Sequence, residues 1–158
     1  MTLRENIDLT RKERYKKTKM KYSNSSDHYI DLVGLDAFGD FYPAAMSGGM
    51  RQRGSLGRAL SVEPSVLLMD EPFSALDALT AIEQRSFLKQ TWEQHKKTIL
   101  FITHNVREAI ELSTKIIVIS KSPAKVLMVE EVTPEEKEIG NPAAAKLENR
   151  ILELLGVL

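Results

Sequence analysis

An α/β domain built on a mostly parallel sheet with flanking helices is the fold class this sequence predicts, and three observations predict it. The run Ser65-Val66-Leu67-Leu68-Met69 is apolar after its first residue and ends in Asp70-Glu71-Pro72, the profile of a strand buried on both faces. Residues 98–103 form a second β-rich run, closed by His104, and residues 115–120 form a third. Helical patterns at 76–96 and 105–112 separate these runs, and strand, helix, strand, helix, strand with short connections is the order of parallel α/β domains.

The chain has 158 residues, enough to bury one core. Hydrophobic residues make up 42% and charged residues 28%, which excludes the weakly hydrophobic profile of disordered chains. Lys plus Arg (22) balances Asp plus Glu (22), so no whole-chain charge draws nucleic acid or anionic lipid. Cysteine is absent, which excludes disulfides and thiolate metal sites. Apolar runs such as Ile116-Ile117-Val118-Ile119 fall far short of the roughly 18 residues of a spanning helix, and the N-terminus has no signal-peptide pattern. Any contact with a membrane is expected to be indirect.

Each element has its own local signal. Residues 2–21 are polar and basic (Arg11, Lys12, Arg14, Lys16, Lys17, Lys19, Lys21) and read as a solvated helix or loop, with too little aromatic interleaving for a nucleic-acid patch. Ser25-Ser26-Asp27 offers N-caps for a short helix over 27–33, with Gly34 as its stop. Pro43 and Gly48-Gly49 punctuate a loop leading into a helix over 50–60, and Ser47 and the glycines stand at its N-terminus. In 76–96 the apolar positions Leu79, Ile82, Phe87, Leu88 and Trp92 recur at helical spacing. Asn105 caps the helix through Leu112, residues 115–120 and 125–132 are strands around a turn at Ser122-Pro123, and a helix over 143–155 closes the chain.

Ligands of parallel α/β sheets bind at the carboxyl ends of strands, where Asp70, Glu71 and His104 stand. Ser47-Gly48-Gly49 has the chemistry of an anion site: glycines let backbone N–H groups approach closely, a hydroxyl adds a donor, and a helix dipole points its positive end outward. Taken singly, each feature has a plainer reading: a helix N-cap after a flexible turn, two acids capping the next helix, a structural histidine.

Taken together they resemble the motifs of ABC ATPases. Met46-Ser47-Gly48-Gly49-Met50-Arg51-Gln52-Arg53 resembles the signature motif in its Met-for-Gln form, and residues 66–71 resemble a Walker B strand with its adjacent glutamate. Ser74-Ala75-Leu76-Asp77 resembles the D-loop and His104 the switch histidine, in the family's order and separations. Asp70-Glu71-Pro72-Phe73 with Ala78-Leu79-Thr80 looks closest to importers of nitrate, sulfonate and taurine.

The resemblance implies a P-loop NTPase core with an α-helical subdomain at 1–62 and part of the ATPase core at 63–158. It implies an ATP-hydrolysing subunit that energises solute uptake, with ATP and Mg²⁺ as ligands. Glu71 and His104 would be catalytic, Asp70 would hold the metal, and Ser47, Gly48, Gly49, Met50 and Asp77 would contact nucleotide. The implied partners are a transmembrane permease subunit, a second ATP-binding subunit and, indirectly, a solute-binding protein. The implied place is the cytoplasmic face of the cell membrane, as a peripheral protein.

A complete member of the family also carries G-x-x-x-x-G-K-[ST] upstream of the signature, and this sequence contains no Gly-Lys pair. The family's Q-loop glutamine is absent too, since the first glutamine is Gln52. The sequence is therefore expected to begin in mid-domain, to expose sheet edge and apolar surface, and to be marginal or self-associating, and the alternative to the uptake role is an ATPase-inactive fragment that acts only by docking on partner subunits. Asn105 after the histidine, and Gly54-Ser55-Leu56-Gly57 in place of better helix formers, are the smaller departures.

Overall fold

The computed structural model describes residues 1–19, 21–138 and 140–157 in two compact units, 1–102 and 103–158. The first unit opens with α1 (Leu3–Thr18), held by a capping box: Thr2 Oγ1 accepts from the Glu5 N–H and the Glu5 carboxylate accepts from the Thr2 N–H. Leu3 and Ile7 of α1 pack with Ile30, Val33, Leu35 and Met46 into a buried cluster. Arg11, Lys12, Arg14, Lys16 and Lys17 thus lie in the second half of a docked helix, where Lys12 to Lys17 are exposed as expected and Arg11 is half-buried. Its guanidinium carbon lies 4.6 Å from the Tyr22 ring centre and 5.5 Å from that of Tyr29, and it donates to the Asn24 carbonyl.

The short helix forms one residue earlier than predicted, as α2 (Ser26–Leu32) with Ser25 as N-cap, and Gly34 follows it in the left-handed region at φ +63°. The next helix, α3 (Gly48–Leu60), begins at the glycines themselves with Ser47 as its cap. Gly54 and Gly57, which lower helix propensity, have a packing use here. A Cβ on Gly57 would stand 3.0 Å from the Tyr29 carbonyl oxygen and 3.1 Å from Val33, and one on Gly54 3.0 Å from Leu3. The glycines let α3 lie directly on α2 and α1.

Strand β1 (Val66–Asp70) pairs in parallel with β2 (Thr98–Ile102), and α4 (Ala78–His95) crosses between them. The expectation of a strand buried on both faces is corrected: Leu67 is buried, but Val66 and Leu68 are exposed, because no layer among the described residues covers that side. The predicted apolar face of α4 is corrected as well. Ala81, Gln84, Leu88 and Thr91 form its buried stripe, while Leu79 and Ile82 face solvent.

The second unit contains α5 (Val106–Leu112), β3 (Lys115–Ile119), β4 (Val126–Glu131) and α6 (Pro142–Leu154). Its strands pair antiparallel, so the sheet character is one parallel pair and one hairpin, where the spacing alone predicts a mostly parallel arrangement. Ile110, Ile116, Val118, Met128, Val132, Leu147 and Ile151 form its core. Among the described residues, no helix is long and apolar enough to cross a membrane.

Candidate nucleotide site

The signature turn is built by its cap. Ser47 leaves the preceding loop in extended conformation, its Oγ accepts from the Met50 N–H at 3.2 Å, and its carbonyl accepts from Arg51 N–H at 2.9 Å. Arg51 folds back to donate to the Met46 carbonyl. These bonds hold Gly48 and Gly49 at the head of α3, where leading amide donors of a helix have no intrahelical acceptor. Met50, expected beside nucleotide, is half-buried and packs against the first-unit core.

Asp70 ends β1 with its side chain exposed, opposite Ile102 in the register. Glu71 leaves the strand in the left-handed region at φ +46°, its N–H donating to the Ile102 carbonyl at 2.9 Å. Its own carbonyl accepts from Ser74 Oγ at 2.9 Å and Ser74 N–H at 3.3 Å. A glutamate in that region costs on the order of 1 kcal/mol, and such strain collects where a side chain must be aimed. The two acids therefore diverge, Asp70 continuing the pleat and Glu71 turned away from it.

Two tight turns lead from Glu71 to Asp77, the N-cap of α4, whose carboxylate accepts from Thr80 N–H at 3.0 Å. That backbone bond first, then a bond to the Thr80 side chain, holds the Asp77 carboxyl below its usual range. In its local geometry Asp77 is thus the cap that starts α4. The same turn touches the signature. A Cβ on Gly49 would lie 2.9 Å from Thr80 Cγ2 and 3.1 Å from Gln84 Nε2, and one on Gly48 3.5 Å from Leu76 Cδ2.

Signature, strand-end acids and D-loop are brought together in the first unit. His104 belongs to the second, exposed between two pinned neighbours: Thr103 Oγ1 donates to Glu108 at 2.9 Å and accepts from Asn105 N–H at 3.0 Å. Asn105 Oδ1 in turn caps α5 by accepting from Arg107 and Glu108 N–H.

Sequence reasoning missed Gln84. It is only 6% exposed and, with Arg53, Phe87, Asp70 and Glu71, lines a cavity of about 280 Å³ beside β1. A glutamine at the i+3 position from a buried alanine on α4 was its only signal. Among the described residues, no cluster of three or more His, Asp or Glu could cage a metal. The donor set suits a cation held by one carboxylate and by a ligand's own oxygens, the mode of Mg²⁺ with phosphates.

Comparison with known proteins bears on the family and the fold. A family model described as ABC transporter matches residues 1–74. The aliphatic sulfonates import ATP-binding protein SsuB of Bacillus cereus is 38% identical over 156 residues, covering 97% of this chain and 60% of that protein. The nitrate import ATP-binding protein NrtD of Synechococcus elongatus is 39% identical over 135 residues, covering 82% and 49%. The ADP conformation of an ATP-binding cassette of an ABC transporter superposes with TM-score 0.69 at 19% identity, over 97% of this chain and 63% of that one. A dimeric ATP-binding cassette bound to ADP and Pi gives TM-score 0.62 at 27% identity, over 84% and 57%.

Strand-end acids two tight turns from a capped helix that packs on a Ser-Gly-Gly turn stand here on the fold of the ATP-binding cassettes, of the P-loop NTPase class. The chain belongs to the ABC transporter family of ATP-binding proteins, with relatives among import ATP-binding proteins. It spans about half the length of the curated relatives it matches, from 49% to 60%.

Proposed function

We propose that the chain supplies the signature turn and the hydrolytic acids of an ATP-binding subunit that energises uptake of a small oxyanion such as a sulfonate or nitrate. The observation that carries this reading is the packing of Gly49 on Thr80 and Gln84, which joins signature turn and D-loop in one unit that also holds Asp70 and Glu71.

In this reading residues 1–62 act as the helical subdomain and 63–158 as part of the ATPase core. The amides of Gly48 and Gly49, with the Ser47 hydroxyl, receive the phosphate of a nucleotide held by a second ATP-binding subunit, and Met50 backs the turn. Asp70 would hold Mg²⁺, which when bound would neutralise charge on the phosphate oxygens. Glu71 orients the attacking water and accepts its proton, and His104 donates to the terminal phosphate as charge builds there. Asp77 reaches the facing subunit. Closure of the pair moves a transmembrane permease, docked beside the helical region around residues 8–45, and a solute-binding protein delivers cargo from the far side. The chain works at the cytoplasmic face of the membrane.

A second reading rests on the missing Gly-Lys pair. Alone, the chain lacks the backbone cradle for the β and γ phosphates and acts by docking on partner subunits. It predicts no Mg²⁺-ATP binding by the purified chain in calorimetry.

The test of the uptake reading is a chimera in which this chain is fused to the portion of the Bacillus cereus relative it does not span. In a strain lacking its own sulfonate ATP-binding subunit, the chimera should restore growth on an aliphatic sulfonate as sulfur source, and Glu71→Gln should abolish it. A chimera that accumulates and folds without supporting growth on sulfonate or nitrate contradicts the assignment.

A further inference from the structure

Charge along this chain is segregated, although it sums to zero. Residues 11–21 hold seven of the 22 basic residues and one of the 22 acidic ones, so the remainder of the chain carries an acidic excess. The second half of α1 therefore sets up a local positive field that the whole-chain balance conceals. Leu3 and Ile7 at the start of α1 are buried, whereas every residue from Lys12 to Lys19 is exposed, so the helix is docked at one end and runs clear of the body at the other. The base of the projecting end is fixed: Arg11 stacks on Tyr22 and Tyr29, and Tyr22 OH donates to the Arg11 carbonyl at 3.1 Å. Of the cations beyond Arg11, Lys16 alone forms an ion pair among the described residues, with Glu13 at 2.7 Å. Complementing the helix dipole accounts for Lys16 and Lys17 of the last turn and not for the cations on either side of them.

We infer that the projecting end of α1 is a contact surface for the anionic phospholipid headgroups of a bilayer, touched directly by this chain. Charge complementarity is the first argument, since clustered Lys and Arg side chains on a helix are drawn to such a surface and each adds to the attraction. The second is the company the lysines keep. At about 100° per residue, Leu9, Lys12, Tyr15 and Lys16 fall within about 120° of one another, and Leu9 and Tyr15 are 45% and 44% exposed. An apolar side chain and an amphipathic ring among lysines suit the headgroup layer, where the ring can sit at the boundary while the ammonium groups stay in water. The acids of the same face, Glu5 and Asp8, lie in the docked first half and accept from the Thr2 N–H and the Ser26 hydroxyl. A nucleic acid fits less well: the acidic excess elsewhere repels a polyanion that extends past the helix end, and Tyr15 by itself is no stacking platform.

The inference rests on the reading of the chain as a subunit that works at a membrane, but it needs neither ATP nor a permease, so its failure would leave the hydrolysis reading standing. Its test is flotation of the purified chain with protein-free vesicles of phosphatidylcholine containing roughly one third phosphatidylglycerol, beside vesicles of phosphatidylcholine alone. Flotation separates lipid-bound chain from self-associated chain, which sediments. The anionic vesicles should bind at least tenfold more tightly, and raising salt from about 0.05 M to about 0.3 M should weaken that binding at least tenfold. Each lysine lost from the contact costs about fivefold. Lys12→Gln, Lys16→Gln, Lys17→Gln and Lys19→Gln combined should therefore weaken binding by at least about thirtyfold, with an unchanged circular dichroism spectrum. The same change at the exposed Lys89, Lys121, Lys125 and Lys146 removes equal charge elsewhere and should alter binding less than about twofold. Equal binding to neutral and anionic vesicles, equal losses in the two combined variants, or tighter binding to an RNA oligonucleotide than to the anionic vesicles would each overturn the inference.

Discussion

Gly49 of α3 and Thr80 of α4 lie so close that a single methyl on the glycine would stand 2.9 Å from the threonine Cγ2, inside van der Waals contact. The signature turn and the D-loop helix therefore pack in direct contact. Gly49→Ala should cost about 1–3 kcal/mol through overpacking. Thr80→Ser removes the opposing methyl and keeps the hydroxyl. In its background the alanine should cost measurably less, a coupling that urea unfolding of the double-mutant cycle reads directly. Additive effects would separate the two elements.

Glu63 ties the segment after α3 to the first helices. Its carboxylate accepts from Ser23 Oγ at 2.7 Å, Ser23 N–H at 2.9 Å and Tyr29 OH at 3.0 Å, and the Ser23 hydroxyl is the main reason its pKa lies below the usual glutamate value. A depressed pKa stabilises the fold above the unfolded value and loses that contribution as pH falls through the folded one. Wild type should exceed Glu63→Gln by about 1 kcal/mol at pH 7, a charged hydrogen-bond contribution discounted for solvent screening. The gap should narrow as pH drops below about 4.5, the ordinary glutamate value. Denaturant titrations at pH 7 and pH 3.5 check it; a gap that widens in acid contradicts it.

Glu71 sits at φ +46°, where glycine is at ease and alanine is not. Both substitutions delete the carboxylate, so comparing them isolates the backbone. Glu71→Gly should be about 1 kcal/mol more stable than Glu71→Ala in thermal or urea unfolding. Equal stabilities would mean that the backbone strain has been relieved elsewhere.

Asp77 caps α4 through the Thr80 amide. Asp77→Asn keeps an acceptor at that position and Asp77→Ala does not. Hydrogen exchange at the Thr80 amide should therefore quicken in the alanine variant and stay within a few-fold of wild type in the asparagine variant.

Three helix starts were legible because a side-chain acceptor announces each: Ser25, Ser47 and Asn105 all cap, while Asp77 and Asn141 are caps that the structure adds. The order of strands and helices followed from the apolar runs. What one sequence hides is which face of a run is covered. Leu67 and Leu68 are the same residue type at adjacent positions, one buried and one 71% exposed, since cover depends on partners and not on composition. The same limit concealed the α4 face, where Gln84 and Thr91 are buried and Leu79 is not. Gly54 and Gly57 read as weak helix formers until the neighbours they admit, Leu3 and Tyr29, are in view. In the site, residue types and spacing single out Ser47, Asp70, Glu71, Asp77 and His104 as candidates, and the fold places all but His104 in the first unit. The left-handed turn at Glu71 and the contact of Gly49 with Thr80 and Gln84 are tertiary facts that no local signal carries.

The most direct measurement of the central claim is steady-state Mg²⁺-ATP turnover by the purified chimera of this chain with the unspanned portion of the Bacillus cereus relative, beside its Glu71→Gln variant. The account predicts Mg²⁺-dependent hydrolysis that falls at least a hundredfold in the glutamine variant while ATP binding persists. A folded chimera that binds ATP but turns over equally with glutamate or glutamine at position 71 would contradict it.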